Sequence, residues 1–108
     1  DFAHDEMPQI LCTPWLIWFL EHAARNAVLP SLEPGESTVG VAVNVEHKAA
    51  TPLGAHVHCC ARVIYVDGPL ISFQLEAHDE HEKIATGTHK MRVIKAARLA
   101  KRVQKKAQ

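Results

Sequence analysis

No stretch of this 108-residue sequence is apolar for long enough to cross a bilayer. The longest run, Ile10 to Leu20, has eleven residues and includes Thr13 and Pro14, against the roughly 20 that a membrane helix needs. Net charge is absent as well: 12 Lys and Arg balance 12 Asp and Glu, so there is no general attraction to nucleic acid. Aromatic residues make up 6% of the chain, too few for a base-stacking platform. Cysteine is scarce. Cys12, Cys59 and Cys60 cannot all pair within one chain, and adjacent side chains diverge on a strand, so a reduced cytoplasmic protein is expected. The opening Asp1-Phe2-Ala3-His4-Asp5-Glu6 is acidic where a secretory signal would be basic. Repeats and low-complexity linkers are missing too, so residues 1–108 are expected to form a single soluble domain.

What is present is globular: 47% hydrophobic and 22% charged residues. Pro14 suits the start of a helix and Pro30 stops one. Between them Trp15 to Ala24 reads Trp-Leu-Ile-Trp-Phe-Leu-Glu-His-Ala-Ala, apolar nearly all round, which predicts a helix buried on most sides. After the turn Leu32-Glu33-Pro34-Gly35-Glu36, Val39, Val41, Val43 and Val45 alternate with smaller or polar residues, the period of a strand with one apolar face. Further strands are expected at about Ala55–Val66, Leu70–His78 and Lys83–Ile94, with Asp67-Gly68-Pro69 as a hairpin turn. A helix rich in Ala, Lys and Arg follows from Lys95. One apolar helix and four consecutive antiparallel strands make an α+β domain. The economical arrangement curves the sheet around the helix, and a second copy would cover the exposed sheet edges.

Three side chains stand out as chemistry. Glu21 lies in the middle of the apolar helix, where a carboxylate is either shielded, and so a usable acid or base near neutral pH, or turned to solvent and paired with Arg25 at i+4. Thr13 either caps the helix or stands at its positive end beside a reacting group. His47 continues the apolar face of the first strand and is either a hydrogen-bonded boundary residue or a proton carrier. Gly40, on the opposite face by simple alternation, marks a bulge or a close approach of ligand to backbone. Thr13 and Glu21 are about 12 Å apart along a regular helix. They can share a substrate only across a cleft, through a distorted first turn, or across a dimer interface. The cluster His56-Val57-His58-Cys59-Cys60 lacks the second ligand pair of a structural zinc site, so it is read as a sheet face and no metal is expected. Eight of the 12 basic residues fall from Lys90 onward and all 12 acidic residues lie at or before Glu82. The basic tail either binds phosphate groups or is a solvated helix packing Ala96, Leu99, Ala100 and Val103 on the domain.

Taken together, Thr13-Pro14, Glu21, Leu32-Glu33-Pro34-Gly35-Glu36, Val39-Gly40, Val45-Glu46-His47, Ala50-Thr51-Pro52-Leu53-Gly54, Ala77-His78-Asp79 and Ile84-Ala85-Thr86-Gly87-Thr88-His89 resemble the fluoroacetyl-CoA thioesterase family of hot-dog-fold proteins. The resemblance spans roughly Pro8 to Val93. It implies a hot-dog fold, an antiparallel sheet wrapped around a long central helix, whose first strand would lie before Asp1. It also implies a homodimer with active sites at the subunit interface, further pairing to a tetramer being left open. Thr13, Glu21 and His47 match the family's catalytic set, and Gly40 its glycine near the acyl group. The family's members that select a fluorinated acyl group carry a phenylalanine lid upstream of the Thr. The matching positions here are His4 and Met7, which makes Met7 a substrate-binding candidate. An Arg of the family near the end of the fourth strand is replaced by Met91.

The reading that follows is an acyl-CoA thioesterase. Glu21 is either general base or nucleophile, His47 carries the proton, and Thr13 orients the reacting groups. No cofactor is expected beyond coenzyme A as part of the substrate, because a thioester is already activated. The bulk of Trp15, Trp18 and Phe19 favours short or compact acyl groups. The alternatives are a non-catalytic hot-dog module that binds an acyl-CoA or acyl carrier, and, less well matched, a dehydratase. Neither nucleic acid nor membrane is an expected partner.

Overall fold

The computed structural model describes residues 9–107. Its order is helix α1 (Thr13–Val28), a single 3-10 turn (Leu29–Ser31), strands β1 (Glu36–His47), β2 (His58–Asp67), β3 (Leu70–His78) and β4 (Lys83–Lys95), and helix α2 (Ala96–Ala107). The four strands form one antiparallel sheet in the order β1-β4-β3-β2, with β1 and β2 as its edges among the described residues. Among the described residues, no helix is long and apolar enough to cross a membrane.

α1 lies against this sheet because Leu16, Leu20, Ala24 and Val28 recur every fourth residue and form one stripe. That stripe packs on Phe73, Leu75 and Ala77 of β3 and on Ile84, Ala85 and Met91 of β4. The alternation expected for Leu70–His78 therefore holds. Each fully buried Leu or Phe contributes about 1.5–3 kcal/mol by leaving water, so this layer carries the fold. The expectation of a helix buried nearly all round is corrected. Trp15, Trp18 and Phe19 occupy the outward face and are 56%, 48% and 42% exposed in the single chain. Only the stripe touching the sheet is covered.

Two other expectations change. The second strand begins at His58 rather than at about Ala55, because residues after Pro52 turn through Gly54 at φ 89°, a conformation glycine adopts without penalty. α2 forms, yet it buries no residue, and Leu99 and Val103 stay exposed; its apolar side does not pack on the domain as expected.

β1 is more informative than its alternation suggested. Its pairing with β4 skips a residue between Gly40 and Ala42, leaving Val41 as the extra residue of a bulge. Alternation therefore changes phase at Val41. Gly40 pairs with Met91, Val43 with His89, Val45 with Gly87 and His47 with Ala85, and residues directly opposite one another share a face. Gly40 thus stands on the same face as Val43, Val45 and His47, towards α1. The simple alternation that put Gly40 on the far face is corrected by one residue.

Candidate active site

The first cluster lies where α1 begins. Ile10 bridges Pro52, and the Leu11 N–H donates to the Thr51 carbonyl at 2.9 Å. The segment entering α1 is thereby fastened beside the loop that leaves β1. The N-cap is Cys12, with no side-chain cap bond. Thr13 is the first helical residue rather than the cap, and Pro14 is the second. The capping reading of Thr13 is therefore overturned. Its hydroxyl is free of that duty and sits 2.9 Å from Nδ1 of His47. The other ring nitrogen of His47, Nε2, is buried without a hydrogen-bond partner.

The second cluster lies about two helical turns on. Glu21 follows Leu20 on the flank of the buried stripe and is half-buried. Among the described residues it has no ion pair, so the Arg25 pairing is not formed. Its carboxylate lies over Gly40: a Cβ at that position would stand 3.1 Å from Oε2 of Glu21 and 3.5 Å from Cε1 of His89. The bulge and the missing side chain together let Glu21 reach the sheet. His89 was not singled out from the sequence. It is 2% exposed, stacks its ring on Phe73 at 6.0 Å, and has Nδ1 3.1 Å from the Ala42 carbonyl. Its Nε2 is also buried and unpartnered. A histidine on the inner face opposite a glycine-containing bulge was the available signal, but the phase change at Val41 hid it.

Met7 and His4 lie outside the described residues. Trp15, Trp18 and Phe19 form an exposed aromatic cluster on α1 in the single chain. Among the described residues no group of three or more His, Cys, Asp or Glu side chains converges as metal ligands would. Cys59 is half-buried, and burial, then the neighbouring Cys60, pushes its thiol above the usual range. At the far end of β1 and β4, a groove of about 700 Å³ is lined by Arg92, Lys95, Arg98 and Arg102. The one carboxylate in it, Glu36, accepts the Glu33 N–H at 2.8 Å instead of a cation. Among the described residues, none of the four cations is ion-paired.

A protein-family model described as fluoroacetyl-CoA-specific thioesterase matches residues 1–97. The fluoroacetyl-CoA thioesterase of Streptantibioticus cattleyicolor is 37% identical over 101 residues, covering 94% of this chain and 73% of the relative. This chain belongs to that family. A crystal structure of a single-residue variant of the fluoroacetyl-CoA-specific thioesterase, in complex with fluoroacetate and CoA, superposes with a TM-score of 0.91 at 36% identity, over all of this chain and 83% of the other. A hot-dog-like protein from Thermanaerovibrio acidaminovorans gives a TM-score of 0.87 at 26% identity, over 91% of this chain and 73% of the other. The fold is the hot-dog fold, and the chain is a member of a thioester hydrolase family.

Proposed function

We propose that this protein hydrolyses a short or compact acyl-CoA to the free acid and CoA, with Thr13, Glu21 and His47 as its catalytic residues and Gly40 beside the acyl group. The observation that carries the reading is the Thr13–His47 hydrogen bond, formed by a threonine at the positive end of a helix and by a histidine with one buried nitrogen still free. Glu21 acts on water, or directly on the thioester carbonyl, and a backbone N–H near Gly40 polarises that carbonyl. His47 delivers a proton to the departing CoA thiolate, and Thr13 orients the imidazole. The thioester is activated by its own leaving group, so no further cofactor is required. The basic groove suits the phosphates of the CoA nucleotide. The cytoplasm is the compartment this chemistry fits. A module that only bound acyl-CoA would need the pocket and none of the proton-carrying groups.

Within one chain the two clusters are too far apart to act on one carbonyl, so the working unit is proposed to be a homodimer. The exposed edge of β1, with Val41 and Val43 uncovered, and the exposed aromatic stripe of α1 both favour a second copy. Antiparallel pairing of β1 with its copy, centred between Val43 and Asn44, would bring His47 beside the partner subunit's Gly40. Each site would then take Thr13 and His47 from one subunit and Glu21 and Gly40 from the other. Pairing of the two α1 faces would also bring Trp15, Trp18 and Phe19 to bear on acyl size.

The test is a thiol-release assay across acyl-CoAs of increasing acyl length, run on the parent and on Glu21→Gln. The parent is expected to favour the shortest acyl groups. Glu21→Gln should lose about 10²–10⁴-fold in kcat, the range for a positioned acid or base. Tight CoA binding by the parent without thiol release would support the binding module instead, and an undiminished Glu21→Gln rate would remove Glu21 from the mechanism.

A further inference from the structure

The end of β4 and helix α2 meet beyond the Gly40 end of β1, and the groove of about 700 Å³ lies between them. Arg92 and Lys95 line it from β4, and Arg98 and Arg102 line it from α2. Arg98 and Arg102 are four residues apart on the helix, so they are neighbours on one of its faces. All four cations are exposed, and among the described residues none has an ion-pair partner. Glu36 is the single carboxylate of the lining and is engaged by the Glu33 N–H. Four cations against one carboxylate leave an excess of three positive charges. Like charges held together repel one another, and a ligand with several negative charges relieves that repulsion. CoA has a pyrophosphate and, farther from its sulfur, a 3′-phosphate, a monoester of about 1.5 to 2 negative charges near neutral pH.

We propose that the groove is a two-part site in which Arg92 and Lys95 hold the pyrophosphate of CoA and Arg98 and Arg102 its 3′-phosphate. This rests on the thioesterase reading and deepens it, by naming which residues tell acyl-CoA from thioesters without the nucleotide. β1 links the groove to the place of the thioester. Glu36, Thr38 and Gly40 pair with Lys95, Val93 and Met91, and their alternation keeps all six on the face towards α1. Gly40 and Glu36 are four residues apart, about 13 Å along a strand. The arm of CoA from sulfur to the first phosphorus has about 13 bonds, a little over four residues of extended chain, or roughly 15 Å. A thioester over Gly40 thus places its pyrophosphate at the groove of the same subunit. Arg92 and Lys95 are the cations on the strand that reaches Gly40, so they take the nearer group. The helix pair lies beyond them and takes the farther one. Two guanidinium forks side by side suit the oxygens of a phosphomonoester. The subunit that supplies Glu21 and Gly40 also holds the nucleotide, and the proton for the thiolate comes from the other.

The experiment measures thiol release from the CoA, dephospho-CoA and pantetheine thioesters of one acyl group. The parent should prefer acyl-CoA to acyl-dephospho-CoA by about 10-fold in kcat/KM, since only the former has the 3′-phosphate. The double variant Arg98→Gln/Arg102→Gln should lose that preference through a higher KM for acyl-CoA. Its substitutions lie on a helix that buries no residue, so the core is undisturbed. Arg92→Gln/Lys95→Gln should weaken both nucleotide esters by about 10-fold and keep the preference between them. The pantetheine ester, which has no phosphate, should be hydrolysed alike by all three proteins. Calorimetric titration with adenosine 3′,5′-bisphosphate needs no turnover. The parent should bind it about 10-fold more tightly than Arg98→Gln/Arg102→Gln does, and an equal concentration of inorganic phosphate should not displace it. Equal kcat/KM for acyl-CoA and acyl-dephospho-CoA in the parent, or an undiminished preference in the helix variant, would overturn the two-part site and leave the hydrolase standing. A parent that releases no thiol from any acyl-CoA would overturn the thioesterase reading instead, and the titration would then judge the groove by itself.

Discussion

The two ends of β1 solve the same problem in different ways. At the His47 end, an imidazole is held through Nδ1 by a threonine hydroxyl that comes from the start of α1. At the Gly40 end, a second imidazole is held through Nδ1 by a backbone carbonyl of β1 itself. Both keep a buried Nε2 without a partner. They differ in the acidic group nearby. The Gly40 end has the carboxylate of Glu21 over its glycine, and the His47 end has no carboxylate in hydrogen-bond or ion-pair contact with the imidazole among the described residues. One end can accept a proton onto a carboxylate and the other can only pass one through an imidazole. A thioester needs both actions, first on water and then on a thiolate. The proposed dimer would bring the two actions to one thioester.

Mixing two inactive proteins breaks or sharpens this division with the largest expected effect. Glu21→Gln and His47→Ala should each be nearly inactive. If β1 pairs with its copy as proposed, a mixed dimer has one site with both lesions and one with neither. Co-refolded in equal amounts, half of the dimers are mixed, so activity should return to about a quarter of the parent's. Recovery is measured by thiol release before and after subunit exchange. Activity that stays at the level of the separate variants would place all three residues in a single-chain site.

Two glycines separate what belongs to the fold from what belongs to the site. A Cβ at Gly87 of β4 would collide with the Asn44 carbonyl oxygen and stand 2.9 Å from the Val45 Cα, whereas a Cβ at Gly40 would meet only the ends of two side chains. Backbone cannot move aside as a side chain can. Gly87→Ala should therefore part β1 from β4 and cost a few kcal/mol, seen as a lower denaturation midpoint. Gly40→Ala should stay within about 1 kcal/mol of the parent while losing hydrolysis. Equal stability losses in the two variants would mean that Gly40 too is present for the backbone.

The same contrast explains what could be read from the residues alone. The helix bounds, the third strand and the fourth were legible because Pro14, Pro30 and the two-residue period of Ile71, Phe73, Leu75 and Ala77 are local signals. Thr13, Glu21 and His47 stood out for the same reason, each being a polar residue in an apolar frame. His89 did not, because its place beside Gly40 depends on a bulge at Val41 that exists only in the pairing with β4. The capping role given to Thr13 failed likewise. A threonine before a proline suits a cap, but Ile10 and Leu11 are tied to the loop at Thr51 and Pro52, and that tie sets where the first turn begins. The burial expected around α1 failed because only the stripe of Leu16, Leu20, Ala24 and Val28 faces the sheet, which leaves Trp15 and Trp18 exposed in the single chain.

That tie at Thr51 has its own support, and it yields the smallest effect. Thr51 is 1% exposed, and its hydroxyl donates to Oδ2 of Asp79 at 3.1 Å. Oδ1 of Asp79 accepts the backbone N–H groups of His81 at 2.8 Å and Glu82 at 2.9 Å. Those two N–H groups, and then the Thr51 hydroxyl, hold the Asp79 carboxyl below its usual range. A depressed value in the folded state means that the ionised form stabilises the fold. That contribution is complete above the ordinary Asp value of about 3.9 and is lost as the pH falls through the lower, folded value. Asp79→Asn keeps the turn's shape and gives up the charge. Its melting temperature should lie slightly below the parent's at neutral pH, and the gap should close on acidification below about pH 4. Glu76, held low by its hydrogen bond to Lys83, titrates in both proteins and cancels from the difference. A gap that stayed constant across the series would separate Asp79 from the pH response, and the placement of Thr13 beside His47 would then rest on the backbone contacts of Ile10 and Leu11 alone.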